Sequence, residues 1–192
     1  MATFQFTKIN GGLTAAQGFT ASGATAGIKA SGKSDSALVY SSSPAVAAGA
    51  FTTNVVRAAC VTLNENLLPS SSIQAILCNS GNANACTGSR GIADVHSVSK
   101  ALAQALAIPA EAVLTASTGI IGEFLPVEKL TAVIPTLASS LSSQGSSPFA
   151  EAIMTTDTVS KEYAVQLNLS QGVITIGGTT KGAGMIAPNM AT

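Results

Sequence analysis

Along Gly91 to Ala107 the apolar residues Ile92, Val95, Val98, Leu102 and Leu106 return every three or four positions, and Pro109 follows. That spacing lays one apolar stripe along a helix, which the proline stops. A second stripe, Leu130, Val133, Ile134, Leu137 and Leu141, begins behind Pro126 and predicts another helix, bent or broken at Pro135. Pro148 to Met154 reads as a third, short one. Elsewhere the period falls to two, or the apolar residues run together, as strands require. Phe4 to Lys8 alternates, Ala37 to Ser41 reads as a short buried strand, and Ser72 to Cys78 and Ala112 to Ala116 are strand-like. Tyr163, Val165, Leu167 and Leu169 alternate, Ser170-Gln171-Gly172 turns, and Val173 to Ile176 returns as the second strand of a hairpin. Gly11 to Gly32 has only Leu13, Phe19 and Ile28 as bulky anchors. Ala45 to Ala59 is ambiguous, with Thr52, Thr53, Val55 and Val56 favouring β structure. Ser140 to Ser147 is a surface loop. The alternation implies an α/β (α+β) fold, mixed sheets layered with helices, with residues 1–192 forming one main domain.

Composition changes this picture in one respect. Hydrophobic residues make up 46% of the 192, charged residues only 9% and aromatic ones 4%, and tryptophan is absent. The net charge is zero. Disorder goes with low hydrophobicity and high net charge, so a packed chain fits better, and so little charge implies that another chain covers part of the surface. Nine Lys plus Arg against nine Asp plus Glu leave no basic stripe for nucleic acid. No run of about eighteen apolar residues is present to span a membrane, and the first residues lack the regions of a signal peptide. A cytoplasmic location is expected. Cys60, Cys78 and Cys86 show no ligand spacing with the lone His96, so they read as reduced, buried or half-buried thiols and no metal is expected. His96 itself reads as a surface residue beside the apolar face.

Candidate chemistry collects where strands end. Ser72 to Cys78 runs into Asn79-Ser-Gly-Asn-Ala-Asn-Ala-Cys-Thr-Gly88, whose amides and glycines suit either a ligand loop or a strand-to-helix connection with local Asx turns. Ala112 to Ala116 delivers Ser117-Thr118-Gly119 at its carboxyl end, a usual place for chemistry in α/β folds. The chain closes with Lys181-Gly182-Ala183-Gly184-Met185-Ile186-Ala187-Pro188-Asn189-Met190-Ala191-Thr192. This segment, from about residue 177, is a shaped loop at the end of the hairpin. A threonine freed as a chain N-terminus can use its own α-amine to activate its hydroxyl, which here requires a cut between Ala191 and Thr192. An ordinary glycine-rich turn ending in a tail has the same residues.

The closing segment resembles the self-cleavage junction of the arginine-biosynthetic ornithine acetyltransferases, or glutamate N-acetyltransferases. Asn79 to Gly88, Ala116-Ser-Thr-Gly-Ile-Ile-Gly122 and Ala152-Ile-Met-Thr-Thr-Asp-Thr158 resemble further motifs of that family, in the same order and over most of the chain. The resemblance implies a self-processing, N-terminal-threonine acyltransferase, with this chain as the α chain of a precursor completed by a β chain, and an α2β2 assembly. It implies cleavage between Ala191 and Thr192 and a ping-pong reaction in which Thr192 carries the acetyl group from N-acetylornithine to glutamate. Thr118 and Gly119 would stabilise the oxyanion, and Thr155, Lys181 and Thr192 would contact substrate. No cofactor is implied, although some members also accept acetyl-CoA as donor. One feature departs from the pattern: a cut α chain ends at Ala191, whereas Thr192 follows it here. Either a truncated precursor or a residue assigned to the wrong side of the cut would explain this, and a Thr192 still amide-bonded to Ala191 has no basic nitrogen.

Three classes of function thus compete. The first is acetyl transfer of this type. The second is a self-processing aminopeptidase or amidohydrolase whose acyl-enzyme is discharged by water, and the third is a non-catalytic α/β protein binding a small anion on its glycine-rich loops.

Overall fold

Two sheets divide the strands of the computed structural model, which describes residues 6–183. In chain order the elements are β1 (Phe6–Ile9), β2 (Phe19–Ala24), β3 (Ser36–Ala47), α1 (Ala59–Leu67), β4 (Ser70–Asn82), α2 (Gly88–Leu106), β5 (Val113–Ile120), α3 (Val127–Ser139), α4 (Ser146–Ala152), β6 (Lys161–Leu169) and β7 (Gly172–Thr180). Short 3-10 turns lie at Gly12–Ala15 and Ala110–Ala112. The larger sheet has the order β2-β3-β4-β5, antiparallel except for the parallel pair β4 and β5. The smaller, β1-β6-β7, is antiparallel throughout. The architecture is the mixed α+β one expected.

The alternation of side chains along a strand assigns the two faces of the larger sheet. Leu38, Ala75, Leu77 and Val113 meet Val98 and Leu102 of α2 and Leu130, Ile134 and Leu137 of α3 in the main core. Ala37, Val39 and Cys78 turn the other way, toward Phe149, Ala152 and Ile153 at α4. The stripes of α2 and α3 are the ones their spacing predicts. Of the bend or break expected at Pro135, the break does not occur: α3 runs through it to Ser139. The proline lies on the exposed side, where water can satisfy the carbonyl its ring leaves unbonded.

Other departures have local causes. β4 and β5 run on through Asn82 and Ile120, because β-sheet pairing continues as Asn79↔Ser117, Ser80↔Thr118 and Gly81↔Gly119 after the apolar residues end. Only Ala45–Ala47 of the ambiguous stretch is strand, and the helix α1 begins at Ala59. Its buried positions are Ala59, Cys60 and Leu63, too small a face to announce itself. Asn64 of α1 accepts the Thr115 amide at 3.1 Å and donates to its carbonyl at 2.8 Å, so one side-chain amide pairs with the outer edge of β5 as a neighbouring strand would. β2 is missing from the hydrophobic pattern because its buried residues, Ala21 and Ser22, are small. Small residues are needed there: a Cβ on Gly23 would fall on the carbonyl of Pro148, so α4 and β2 meet backbone to backbone. The abundance of Ala, Ser and Gly follows from such close approaches.

Candidate active site

The parallel pair β4 and β5 ends beside the start of the closing loop, and three side chains meet there. Lys181 follows β7 directly. Its Nζ donates to the Thr118 hydroxyl at 2.9 Å and to the Thr155 hydroxyl at 3.1 Å. All three residues are half-buried. The sequence separations are 63 and 26 residues, so β5, the loop after α4 and the end of the hairpin each contribute one member. Each threonine oxygen that accepts from the ammonium keeps its own O–H proton to donate elsewhere.

Asp157 holds this arrangement. It accepts from the Gly182 amide at 2.6 Å, from the Thr155 amide at 3.2 Å and from Lys161 Nζ at 2.6 Å. One carboxylate therefore ties the Thr155 loop to the segment presenting Lys181. The Lys161 ammonium, followed by the two amides, holds its carboxyl well below the usual carboxylate range, against the opposing effect of burial. Sequence reasoning quoted Asp157 within a motif but gave it no role. An acid two residues after one candidate threonine was the available signal.

Gly119 adjoins Thr118 and has φ +137°, a conformation suited to glycine. A Cβ there would stand 2.5 Å from the Asn82 nitrogen and closer still to the Gly81 carbonyl carbon. The absent side chain thus lets β5 approach β4, a use that the sequence left unspecified. Behind Gly81 lies a second loop, turned by the fully buried Asp35, which accepts the amides of Ala26, Ile28 and Lys29 at 2.6 to 3.1 Å.

The asparagines of Asn79 to Gly88 are buried, and their polar atoms are spent within the fold. Ser117 donates to Asn79 Oδ1 at 2.7 Å, Asn79 donates to the Asn82 carbonyl, and Asn82 reaches the Glu123 and Phe124 carbonyls. Asn82 Oδ1 also accepts the Asn84 amide in an Asx turn. Of the two readings of this segment, a brace for the connection describes it; these contacts fix the end of β5 that carries Thr118. Cys60 and Cys78 offer little nucleophilicity: burial pushes the Cys60 thiol up and the Cys78 thiol up to about 12. Cys86 is exposed, unlike the buried or half-buried thiol expected, and His96 is exposed as expected.

Thr118, Thr155 and Lys181 are thus brought together with Gly119 alongside, whereas Ala191 and Thr192 lie outside the described residues. Fold and site define an α+β protein with a cation-and-hydroxyl site at the carboxyl ends of a parallel strand pair, the usual position for small-molecule chemistry in such sheets. Comparison with known proteins names it more closely. The ArgJ family pattern matches residues 20–192, and the chain belongs to that family. It is 52% identical over 186 residues to the arginine biosynthesis bifunctional protein ArgJ of Synechococcus sp. and 48% identical over 193 to that of Gloeobacter violaceus. Those alignments cover 96% and 100% of this chain but 45% and 47% of the relatives, so the chain spans about half their length. Among solved structures it is similar to the ArgJ of Bacillus halodurans, with a TM-score of 0.90, 38% identity and coverage of 99% of this chain and 100% of that one. It is also similar to the ornithine acetyltransferase of Mycobacterium tuberculosis solved in complex with ornithine, with a TM-score of 0.88, 42% identity and coverage of 96% and 98%.

Proposed function

We propose that this chain is the α chain of a self-cleaving ornithine acetyltransferase that moves an acetyl group from N-acetylornithine to glutamate. The observation that carries the reading is the convergence of Lys181 on Thr118 and Thr155 beside Gly119. Such a group supplies hydrogen-bond donors and a positive charge, which is what acyl transfer between amino acids demands. Two coverage figures support processing into two chains. The solved relatives are matched along 98% to 100% of their chains, whereas the full-length relatives are matched along less than half. A cut between Ala191 and Thr192, made by the Thr192 hydroxyl on the Ala191 carbonyl, accounts for both and places this chain with a β chain, in the α2β2 assembly the resemblance implies.

In the reaction, the Thr192 hydroxyl of the cut precursor passes its proton to its own α-amine and attacks the acetyl carbonyl carbon. The carbonyl oxygen becomes an oxyanion, which the Thr118 hydroxyl and the Gly119 amide stabilise. Collapse breaks the C–N bond, the proton goes to the departing nitrogen, and ornithine leaves an acetyl ester on Thr192. The glutamate amine then attacks the ester, giving N-acetylglutamate and the free threonine. Lys181 steadies both Thr118 and Thr155 and offers its remaining proton to a substrate carboxylate. The relatives are called bifunctional, which fits acetyl-CoA as a second donor. The test is to incubate the purified full-length protein with N-acetylornithine and glutamate. N-acetylglutamate is expected, free acetate would indicate the hydrolase, and neither product would leave only a binding protein.

A further inference from the structure

The loop between β2 and β3, residues 25–35, holds a lysine beside the candidate site that the reaction above does not use. The Asp35 amide closes the loop on the Ala24 carbonyl at 3.1 Å, and the Asp35 carboxylate accepts the three amides already described. Lys129, in the first turn of α3, donates to the Gly27 carbonyl at 2.6 Å, so the loop is also pinned from a neighbouring helix. Ile28 and Lys29 pack on Gly81: a Cβ there would lie 3.0 Å from Ile28 Cγ2 and 3.2 Å from Lys29 Cγ. Gly81 pairs with Gly119, which sets the stem of Lys29 one residue away from the amide assigned to the oxyanion. Lys29 is half-buried. Of its three ammonium protons, the described residues engage one, at the Ser34 carbonyl, 2.7 Å away.

The carboxylates near this lysine are already engaged. Burial lowers the Lys29 pKa; Asp35 opposes that shift, Lys33 adds to it and Asp157 opposes it. The ammonium thus lies in the field of both carboxylates, yet among the described residues neither accepts one of its protons. Asp35 accepts from backbone amides and Ser36, and Asp157 from Lys161 and the amides of Thr155 and Gly182. Gly182 follows Lys181, so Lys29 and Lys181 are both neighbours of Asp157. A half-buried cation with protons to donate favours an anion brought from outside the fold. We propose that Lys29 receives the second carboxylate of the acceptor and so selects a dicarboxylic amino acid. The proposal rests on the acetyl-transfer reading above, in which Lys181 has one proton left for one substrate carboxylate. Glutamate carries two carboxylates, and the second needs a cation of its own. Ornithine carries a side-chain ammonium instead, which gains nothing from Lys29, so the residue acts in the half of the reaction that ends in N-acetylglutamate.

The test uses the full-length, cut enzyme and compares two acceptors of the same acetyl-threonine. Transfer to glutamate is read as N-acetylglutamate. Transfer to ornithine is read as exchange of labelled ornithine into N-acetylornithine, the reverse of the first half-reaction. Lys29→Met removes the charge at similar length, and kcat/KM for glutamate relative to that for ornithine exchange should fall by roughly 10- to 100-fold, as expected for loss of one hydrogen bond to a charged group. Lys29→Arg keeps the charge and should retain most of the preference. An unchanged ratio in Lys29→Met overturns the proposal even where both rates drop, because a loop that had merely loosened slows both transfers alike and a ratio does not depend on the fraction folded. A parent enzyme that forms no N-acetylglutamate overturns the acetyl-transfer reading and this proposal with it, so the two failures are told apart before any variant is made.

Discussion

Replacing Thr118 and Lys181 singly and together measures whether they act as one unit, as their 2.9 Å hydrogen bond implies. Thr118→Ala removes one donor aimed at the oxyanion while the Gly119 amide remains, and loss of one such donor costs roughly 10²- to 10³-fold in kcat, about 2.7–4 kcal/mol. Lys181→Met keeps the length and removes the charge. Read as a substrate contact alone, it should raise KM and leave kcat unchanged. The geometry adds a second effect: both threonine hydroxyls lose a charged donor, in a class of hydrogen bonds worth about 1.5–3 kcal/mol each. Part of that loss appears in kcat, because a Thr118 hydroxyl no longer held by the ammonium points less often at the oxyanion. The double variant then loses less than the sum of the two, with a coupling of about 1–3 kcal/mol. The assay is initial-rate formation of N-acetylglutamate by the cut enzyme, with chain processing checked on denaturing gels for every variant. Additivity within about 0.5 kcal/mol, with a KM effect alone for Lys181→Met, would refute the idea that the lysine orients Thr118.

Three further outcomes follow from the site. Gly119→Ala combines a positive φ with backbone overlap and should cost more than about 3 kcal/mol, whereas Gly122→Ala, with φ +85° and open space around it, should cost about 1–2; urea midpoints compare them, and equal costs would deny the close approach of β4 and β5. Asp157→Asn sets an amide NH₂ against donors on one side or the other, so it should destabilise by about 1.5–3 kcal/mol and slow self-cleavage of the precursor, followed by gel densitometry; normal cleavage would separate Asp157 from the junction. Its carboxyl is depressed in the folded protein, so its contribution is complete above the unfolded value near pH 4 and is lost as pH falls through the native value; acid unfolding of Asp157→Asn should therefore be shallower below pH 4 than that of the parent.

Spacing made the long helices legible because α2 and α3 bury Leu, Val and Ile, whose period can be counted. β2 and α1 bury Ala, Ser and Cys with Leu63 as their one large residue, too little to carry such a period, and they were seen only in three dimensions. At the site, Thr118, Gly119, Thr155 and Lys181 were all singled out from motifs, and the fold brings the three side chains into one hydrogen-bonded group. Asp157 escaped because its task is to join two loops, and sequence distance says nothing about which amides a carboxylate will meet. The asparagines of Asn79 to Gly88 stayed open between two readings for the opposite reason. Their chemistry suits a ligand equally well, and only the pairing of their amides with backbone carbonyls shows where it is spent.

A lysine ammonium carries three protons, and among the described residues two of those on Lys181 already point at threonine oxygens. Under the proposed function the third is the one offered to a substrate carboxylate, and one proton serves one carboxylate at a time. On that reading donor and acceptor amino acids would compete for the same ammonium, each inhibiting the enzyme form meant for its counterpart without any second binding site.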